Sequence, residues 1–311
     1  MQKKLGQLSF ADDLAGGAAN FLREVEGVLD WDGIAMELDG IYNSPTGRPS
    51  YPLLVLFKAL LLQQWYSLSD PGLEEALSDR ISFRRFVGLS LSDPVPDHST
   101  ISRFRSRLGD RYEELLSRLN SQFESDGRIV KQGTLIDASF VGSSTKKKTV
   151  DPETGPVWKR KADSRLGYKM HASVDQGTGL VRRVVVTPAN VNETDVADAL
   201  VMGDEQAVYA DKAYDTHARR RGLKERGIFP GIMHRPNKHH PLTQEQMLFN
   251  KKLVKPRASV ERVFGILKLH YRLRRTQYIG LARMAFQVTL ACMAMNKNEL
   301  WFWQKLKRAC A

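Results

Sequence analysis

The chain has 311 residues, enough for two domains or one large one. Its hydrophobic fraction of 42% is ordinary for a soluble globular protein. Lys and Arg total 47 against 35 Asp and Glu, a net charge of +12, which points to a polyanionic partner, most simply nucleic acid.

The two cysteines, Cys292 and Cys310, form no CxxC pair, which argues against a zinc site or a disulfide framework and fits a reduced cytoplasm. The N-terminal MQKKLGQLSFADDLAGGAANF lacks the apolar run of a signal peptide. The most apolar long stretch, Ile279 to Trp303, contains Arg283, Gln287, Asn296, Lys297 and Glu299, so it reads as a buried helix rather than a membrane span.

In chain order, residues 1 to about 50 are mixed and punctuated by Gly16-Gly17 and a turn-rich segment from Asn43 to Pro49. Tyr51 to Tyr66 reads as a helix, with Pro52 in its first turn and Leu53, Leu56, Phe57, Leu60 and Leu61 apolar. Asp70-Pro71-Gly72 opens a second helix. Ile81 to Val87 continues the helical character, with Phe83, Phe86 and Val87 inward and Arg84 and Arg85 outward. In Pro94 to Leu108, Ser99 or Asp97 can cap a helix beginning near Thr100. Its apolar side is Ile101, Phe104 and Leu108, and Arg103, Arg105 and Arg107 follow the cap. Two readings stand: the second half of a helix-turn-helix meeting DNA, or a structural helix with solvated arginines. His98 reads as a turn or cap residue.

After Gly127 the character changes. Gly133 to Val141, Gly167 to Asp175 and Leu180 to Thr187 read as strands, the last two joined by the hairpin turn Gln176 to Gly179. A helix over Asn190 to Val201 follows, with Asn192 and Thr194 as candidate caps. Next come a strand over Ala207 to Asp211, a helix over Thr216 to Arg226, a strand over Ile228 to Met233, and a late helix around Glu261. Three antiparallel strands followed by β-α units match a ribonuclease-H-like α/β core. The expected division is a helical N-terminal DNA-binding domain over residues 1–126 and a catalytic domain over residues 127–311.

Three carboxylates stand in suggestive places. Asp137 lies within an apolar strand, where an acid is costly unless paired or bound to metal. Asp211 closes the apolar run Ala207 to Ala210. Glu261 shares one helix face with Arg257 and Lys268, all within roughly 40° at about 100° per residue, while Val260, Val263, Phe264, Ile266 and Leu267 take the other side. Pro256 suits the first turn of that helix. Arg272 and Arg275 extend the basic stripe if the helix continues. Two strand-borne acids and one helix-borne acid can hold Mg²⁺ (or Mn²⁺), two ions per site, over a phosphodiester. The plainer reading of the helix is an Arg–Glu pair one turn apart. Asp215 reads as a helix cap. Lys146, Lys147 and Lys148 lie in a turn-rich loop, and a second basic stretch runs from Arg235 to Pro256. Both are candidates for DNA phosphates, against the reading of solvated charge runs.

These residues resemble a known family. The order Asp137, Asp211, Glu261 looks like the DDE signature of bacterial insertion-sequence transposases. Arg257, Glu261 and Lys268 have the spacing R-x3-E-x6-K of that family's Y-x2-R-x3-E-x6-K motif, with Val254 where the family has Tyr. Thr134 to Ser139 resembles the first-Asp motif and Ala210 to Tyr214 the second. Pro96 to Arg105 resembles the N-terminal domain of insertion-sequence group five. The likeness runs from about Tyr51 to about Asn298. It implies a Mg²⁺-dependent DNA transposase that cuts transposon ends and joins their 3′-hydroxyls to target DNA. It also implies double-stranded DNA as partner, a homodimer or higher multimer on that DNA, and a nucleoid-associated cytoplasmic location. Two other readings keep the same fold: a nuclease without strand transfer, and a DNA-binding protein that has lost catalysis.

Overall fold

The computed structural model describes residues 21–27, 29–42, 50–109, 111–144, 157–158, 166–236 and 241–309. The chain divides into two compact units, Met1–Gln122 with Met293–Ala311, and Phe123–Cys292.

In the first unit the described elements are helices: α1 (Phe21–Glu26), α2 (Trp31–Leu38), α3 (Leu53–Trp65), α4 (Asp70–Asp79), α5 (Ile81–Val87), α6 (His98–Leu108) and α7 (Arg111–Ser125), whose end passes into the second unit. Capping follows from side-chain chemistry. Ser69 accepts from the Gly72 amide at 3.1 Å, and Asp97 accepts from the Thr100 amide at 2.6 Å. Helix α3 is buried on nearly every side, including Lys58, Gln63 and Gln64. Lys58 pairs with Glu26 at 3.2 Å and lies over the Trp31 ring at 4.4 Å. Trp65 meets Phe86 edge-on at 5.6 Å.

Two expectations change here. Arg84 is buried rather than outward. Its guanidinium donates to the carbonyls of Ser90 (2.6 Å) and Asp93 (2.6 Å), organising the segment after α5. That segment, Gly88–Asp97, is much longer than the three- to four-residue turn of a helix-turn-helix. Gly88 ends α5 in the left-handed region at φ 86°, which favours glycine. Helix α6 is therefore not the second half of a helix-turn-helix with α5.

The second unit holds a six-stranded sheet: β1 (Thr134–Gly142), β2 (Val157–Trp158), β3 (Leu166–Asp175), β4 (Val181–Pro188), β5 (Ala207–Ala210) and β6 (Phe229–Ile232). Strand β3 pairs antiparallel with β1, β2 and β4, while β5 runs parallel to β1 and β6 parallel to β5. The expected order of strands and helices is thus borne out, with β2 as an addition. The β3–β4 turn is tied by Asp175, which accepts from the Thr178 hydroxyl at 2.8 Å, with Gly179 at φ 75°. Between β4 and β5 lie α8 (Glu193–Val196) and a 3₁₀ turn, Ala197–Leu200. After β5 come a 3₁₀ turn, Lys212–Tyr214, and α9 (His217–Glu225). Ile136, Leu200, Val208, Tyr214, Leu223 and Ile232 join in one apolar core.

Helix α10 (Gln244–His270) packs on β1 and β5. It begins a dozen residues before Pro256, which sits inside it and not in its first turn. The start is set by a capping box, in which Thr243 and Gln246 exchange bonds at 3.2 and 3.1 Å. Helix α11 (Leu281–Ala309) is lined by buried Met284, Val288, Leu290 and Cys292. Among the described residues no helix is long and apolar enough to cross a membrane.

Candidate active site

Strands β1 and β5 pair in register as Thr134 with Val208, Leu135 with Tyr209, and Ile136 with Ala210. The next step along that ladder is Asp137 beside Asp211. Strand β5 has ended there and β1 continues, so the two acids stand side by side on strands about 4.8 Å apart. Each is held by its own backbone. The Ala138 amide donates to Asp137 Oδ1 at 2.8 Å, and the Lys212 amide donates to Asp211 Oδ1 at 2.7 Å. The Asp137 side chain is 19% exposed and that of Asp211 35%. Burial pushes the Asp137 carboxyl up to about 6. The Ala138 amide and Arg257 oppose this rise, while Glu193 and Asp211 add to it.

Arg257 of α10 reaches both acids. Its Nη2 lies 3.7 Å from Asp137 Oδ2, its Nη1 3.5 Å from Asp211 Oδ1, and Nη1 also contacts Met233 Sδ at 3.4 Å. Its Nε is buried without a hydrogen-bond partner among the described residues. The guanidinium therefore pairs with the strand acids across the fold and not with Glu261 along its own helix.

Glu261 lies one turn beyond Arg257 and is exposed. Among the described residues, no three His, Cys, Asp or Glu side chains gather closely enough to hold one ion. The structure brings together Asp137 and Asp211, and leaves Glu261 outside that pair.

The chemistry of the pair nevertheless suits a divalent cation. The donors are hard carboxylate oxygens, a cationic side chain already lies between them, and the raised Asp137 carboxyl is one that a bound cation would hold ionised.

A second ring of polar residues was not singled out from the sequence. The Tyr214 hydroxyl is buried without a hydrogen-bond partner among the described residues, and burial holds its proton far above the usual phenol range. Asp137, Glu193 and Asp211 raise it further, and Arg257 opposes them. Glu193 faces Lys169 at 3.4 Å. Lys169 is itself buried in β3 and donates to the Val191 carbonyl at 2.8 Å. A lysine within the buried strand β3 was the available signal. Asn192, a candidate cap from the sequence, stands at the N-cap of α8 but makes no side-chain cap bond. Asp215 is no cap either: it pairs with Arg220 at 2.6 Å, and Thr216 caps α9.

The expected DNA-contacting residues scatter. Arg103 and Arg107 are exposed on α6, the first bonded to Ser99 Oγ at 2.9 Å and the second 4.8 Å from the Tyr42 ring. Arg105 is buried, with Asp70 at 3.0 Å and Gln63 at 3.1 Å, so its expected role on DNA is corrected to a structural one. Lys146, Lys147 and Lys148, with much of their loop, lie outside the described residues. Lys268 is half-buried on α10. Arg272 and Arg275 do not extend its stripe, because α10 ends at His270 and Arg272 turns to φ 58°. Both side chains are exposed.

Residues 129–297 match the family model described as "Transposase DDE domain", and residues 10–107 match "Transposase domain (DUF772)". A mixed sheet of ribonuclease-H-like type is the fold of the DDE transposase class, and here it sets Asp137, inside β1, beside Asp211, just past the end of β5. The first match spans more than half of the chain, and the chain belongs to the DDE transposase family. Among solved structures it is similar to a piggyBac transposase synaptic complex with hairpin DNA, at TM-score 0.46 and 11% identity over 92% of this chain and 73% of that one. A Mos1 transposase paired-end complex with left transposon end gives TM-score 0.22 and 10% identity over 74% and 83% of the two chains. A Mos1 strand transfer complex gives TM-score 0.21 and 12% identity over 83% and 79%.

Proposed function

We propose that this transposase cuts the ends of an insertion sequence of group five and joins the freed 3′-hydroxyls to target DNA, using Asp137, Asp211 and Glu261 with Mg²⁺ or Mn²⁺. The observation that carries the reading is the adjacency of Asp137, within β1, and Asp211, just past the end of β5. Two neighbouring hard oxygen donors, with β5 ended beside them, would leave room for a phosphodiester to approach.

Asp137 and Asp211 would hold the ions, with Glu261 completing the set from α10 as that helix adjusts on binding. Bound divalent ions supply Lewis-acid polarisation of the phosphate and a lowered pKa for the attacking water or hydroxyl. The chain's own residues do the rest. Arg257 releases the two acids and turns to the scissile backbone, together with Lys268. The flanking apolar core keeps the strand ends fixed, so that the acids cannot drift apart. A helical N-terminal domain over residues 1–126 recognises the transposon ends through Arg103 and Arg107. A catalytic domain over residues 127–311 performs the chemistry. The loop Lys146–Lys148, with Arg272 and Arg275, adds phosphate contacts. Two ends held together require a homodimer or higher multimer, working on the nucleoid in the cytoplasm.

The test is cleavage of a duplex carrying the inverted repeat that flanks the coding region, with and without Mg²⁺. Metal-dependent nicking at the repeat end supports the proposal. Cleavage without joining identifies a nuclease of the same fold, and end binding without cleavage identifies an inactive descendant.

A further inference from the structure

Arg257 is aimed by its backbone more than by bonds of its own. Its nitrogens stand 3.7 Å from Asp137 and 3.5 Å from Asp211, longer than hydrogen bonds, and its Nε is buried without a partner among the described residues. The backbone at that point is itself interrupted. Arg257 directly follows Pro256, which has no N–H to give to the Lys252 carbonyl, so the helical ladder of α10 misses a bond there. Beyond the break, Val260, Val263, Phe264 and Leu267 bury one side of the second half of the helix. Before it, Leu253 alone is buried.

The first half is tied down by the side chain of Asn250. Its Oδ1 accepts from the His234 amide at 2.7 Å and its Nδ2 donates to the His234 carbonyl at 3.0 Å, so one amide group takes both backbone groups of that residue. Phe249 adds its ring, 5.2 Å from that of His234 and 6.3 Å from that of Phe229. The clamped segment leads straight to the acids. His234 follows Met233, whose amide donates to the Ala210 carbonyl at 3.0 Å, next to Asp211, and whose Sδ lies 3.4 Å from Arg257 Nη1. Asp215 holds the same segment by accepting from the Arg235 amide at 3.1 Å. A ring of contacts is thereby closed, from Asn250 through His234 and Met233 to Arg257 and back along α10.

We propose that Asn250 is a positioning residue: by clamping the first half of α10 to the segment after β6, it aims Arg257 at the two strand acids across the Pro256 break. Its bearing on strand joining rests on the reading of this site as the place of DNA chemistry. Asn250 could instead serve only to satisfy the backbone of His234, a local gain in stability. The two roles differ in one respect. Asn250 and Arg257 are two helical turns apart, about 10 Å, and residues at that separation without a shared partner act additively. A clamp that aims Arg257 couples them: once the clamp is lost, removal of the guanidinium costs less.

The test is a double-mutant cycle on the metal-free full chain. Melting temperatures of wild type, Asn250→Ala, Arg257→Ala and the double variant are compared. Thr243→Ala, which frays the start of the same helix and leaves the clamp in place, is the control. The melting loss caused by Arg257→Ala should fall to about half or less in the Asn250→Ala background and stay unchanged in the Thr243→Ala background. Additive losses with Asn250→Ala, equal coupling with Thr243→Ala, or an Arg257→Ala without effect of its own overturn the proposal. Joining of a pre-cut duplex end in Mg²⁺ reads the consequence for function. Asn250→Ala should join about 10-fold more slowly, and Thr243→Ala at about the wild-type rate. Joining by folded Asn250→Ala at the wild-type rate, or equal slowing by Thr243→Ala, also overturns the proposal. A wild-type protein that joins nothing overturns the reading of the site and leaves the melting cycle to decide on Asn250. If Asn250→Ala fails to fold, Asn250→Asp takes its place under the same criteria; it keeps the acceptor for the His234 amide and loses the donor to the carbonyl.

Discussion

Arg257 lies 3.7 Å from Asp137 while also reaching Asp211 at 3.5 Å, so one guanidinium spans the two strand acids. Its charge offsets the repulsion between the two carboxylates, and opposes the burial that makes Asp137 harder to ionise. Arg257→Ala is therefore expected to destabilise the metal-free protein by about 1–2 kcal/mol, less than a fully buried pair because the acids are partly exposed. Added Mg²⁺ should recover more stability in the variant than in wild type, because the ion no longer competes with the guanidinium. Melting curves with and without Mg²⁺ check this. Identical curves for both proteins would mean that the arginine has no hold on the acids.

Arg105 and Arg103, two residues apart on α6, should behave in opposite ways. Arg105→Ala removes the cation that Asp70 and Gln63 share, leaving only their bond to each other, and should cost roughly 3 kcal/mol. Arg105→Lys should recover little, since it cannot span both groups. Arg103→Ala should leave the melting temperature alone and lower the salt slope of DNA binding by about 1. Denaturation beside binding titrations at several salt concentrations separates the two.

The acid-dependent stability of the metal-free protein should contain two opposing trends. His171, buried in β3 and hydrogen-bonded to Thr187 at 2.8 Å, is pushed down to about 4 by burial and then by Lys169. Its contribution is present above the unfolded value of 6.5 and is lost as pH falls toward 4. Asp137, raised from 3.8 to about 6, contributes stability that is present below 3.8 and is lost as pH rises through 6. Each trend is worth about 3 kcal/mol at about 1.4 kcal/mol per pH unit, so between about pH 4 and 6 they nearly cancel. His171→Gln should unmask a fall in stability with rising pH, and Asp137→Asn a fall with falling pH. Urea unfolding at about pH 4.5 and about pH 6.5 reads both. The same slope in the two variants would count against this assignment.

Much of the second unit is legible in the chain, because its strands carry apolar runs broken by glycine and turn residues. The ladder that sets Asp137 beside Asp211 is not. It requires β5 to lie parallel to β1 in one register, which tertiary packing decides. Pro256 misleads because a capping box at Thr243 and Gln246 starts α10 earlier, and the helix tolerates the proline within it. Arg84 and Arg105 mislead in another way: a helical arginine reads as solvated until the loop carbonyls or the carboxylate that receive it are in place. Glu193 and Tyr214 escape notice because their neighbourhood is assembled from three separated segments. Glu261 is the converse case. Its motif is plain in the sequence, whereas its exposed position on α10 is a matter of how that helix seats on the sheet.

Asp137→Ala and Asp211→Ala should both keep the fold, since removal of neighbouring like charges relieves repulsion in the metal-free state. Melting temperatures at or above wild type are expected for Asp211→Ala, whose side chain is the more exposed of the two. Asp137→Ala adds a small cavity beside Arg257 and should melt within a few degrees of wild type. A collapse of either variant would mean that the acid holds the strand end in place and has a structural role.

The most direct measurement is joining of a pre-cut duplex end, taken from the inverted repeat beside the coding region, to plasmid DNA in Mg²⁺. The protein should join the free 3′-hydroxyl to the plasmid. Asp137→Ala, Asp211→Ala and Glu261→Ala should each abolish joining while retaining salt-sensitive end binding. Joining that persists in Asp137→Ala or Asp211→Ala, or that survives removal of divalent ions by EDTA, would contradict the account.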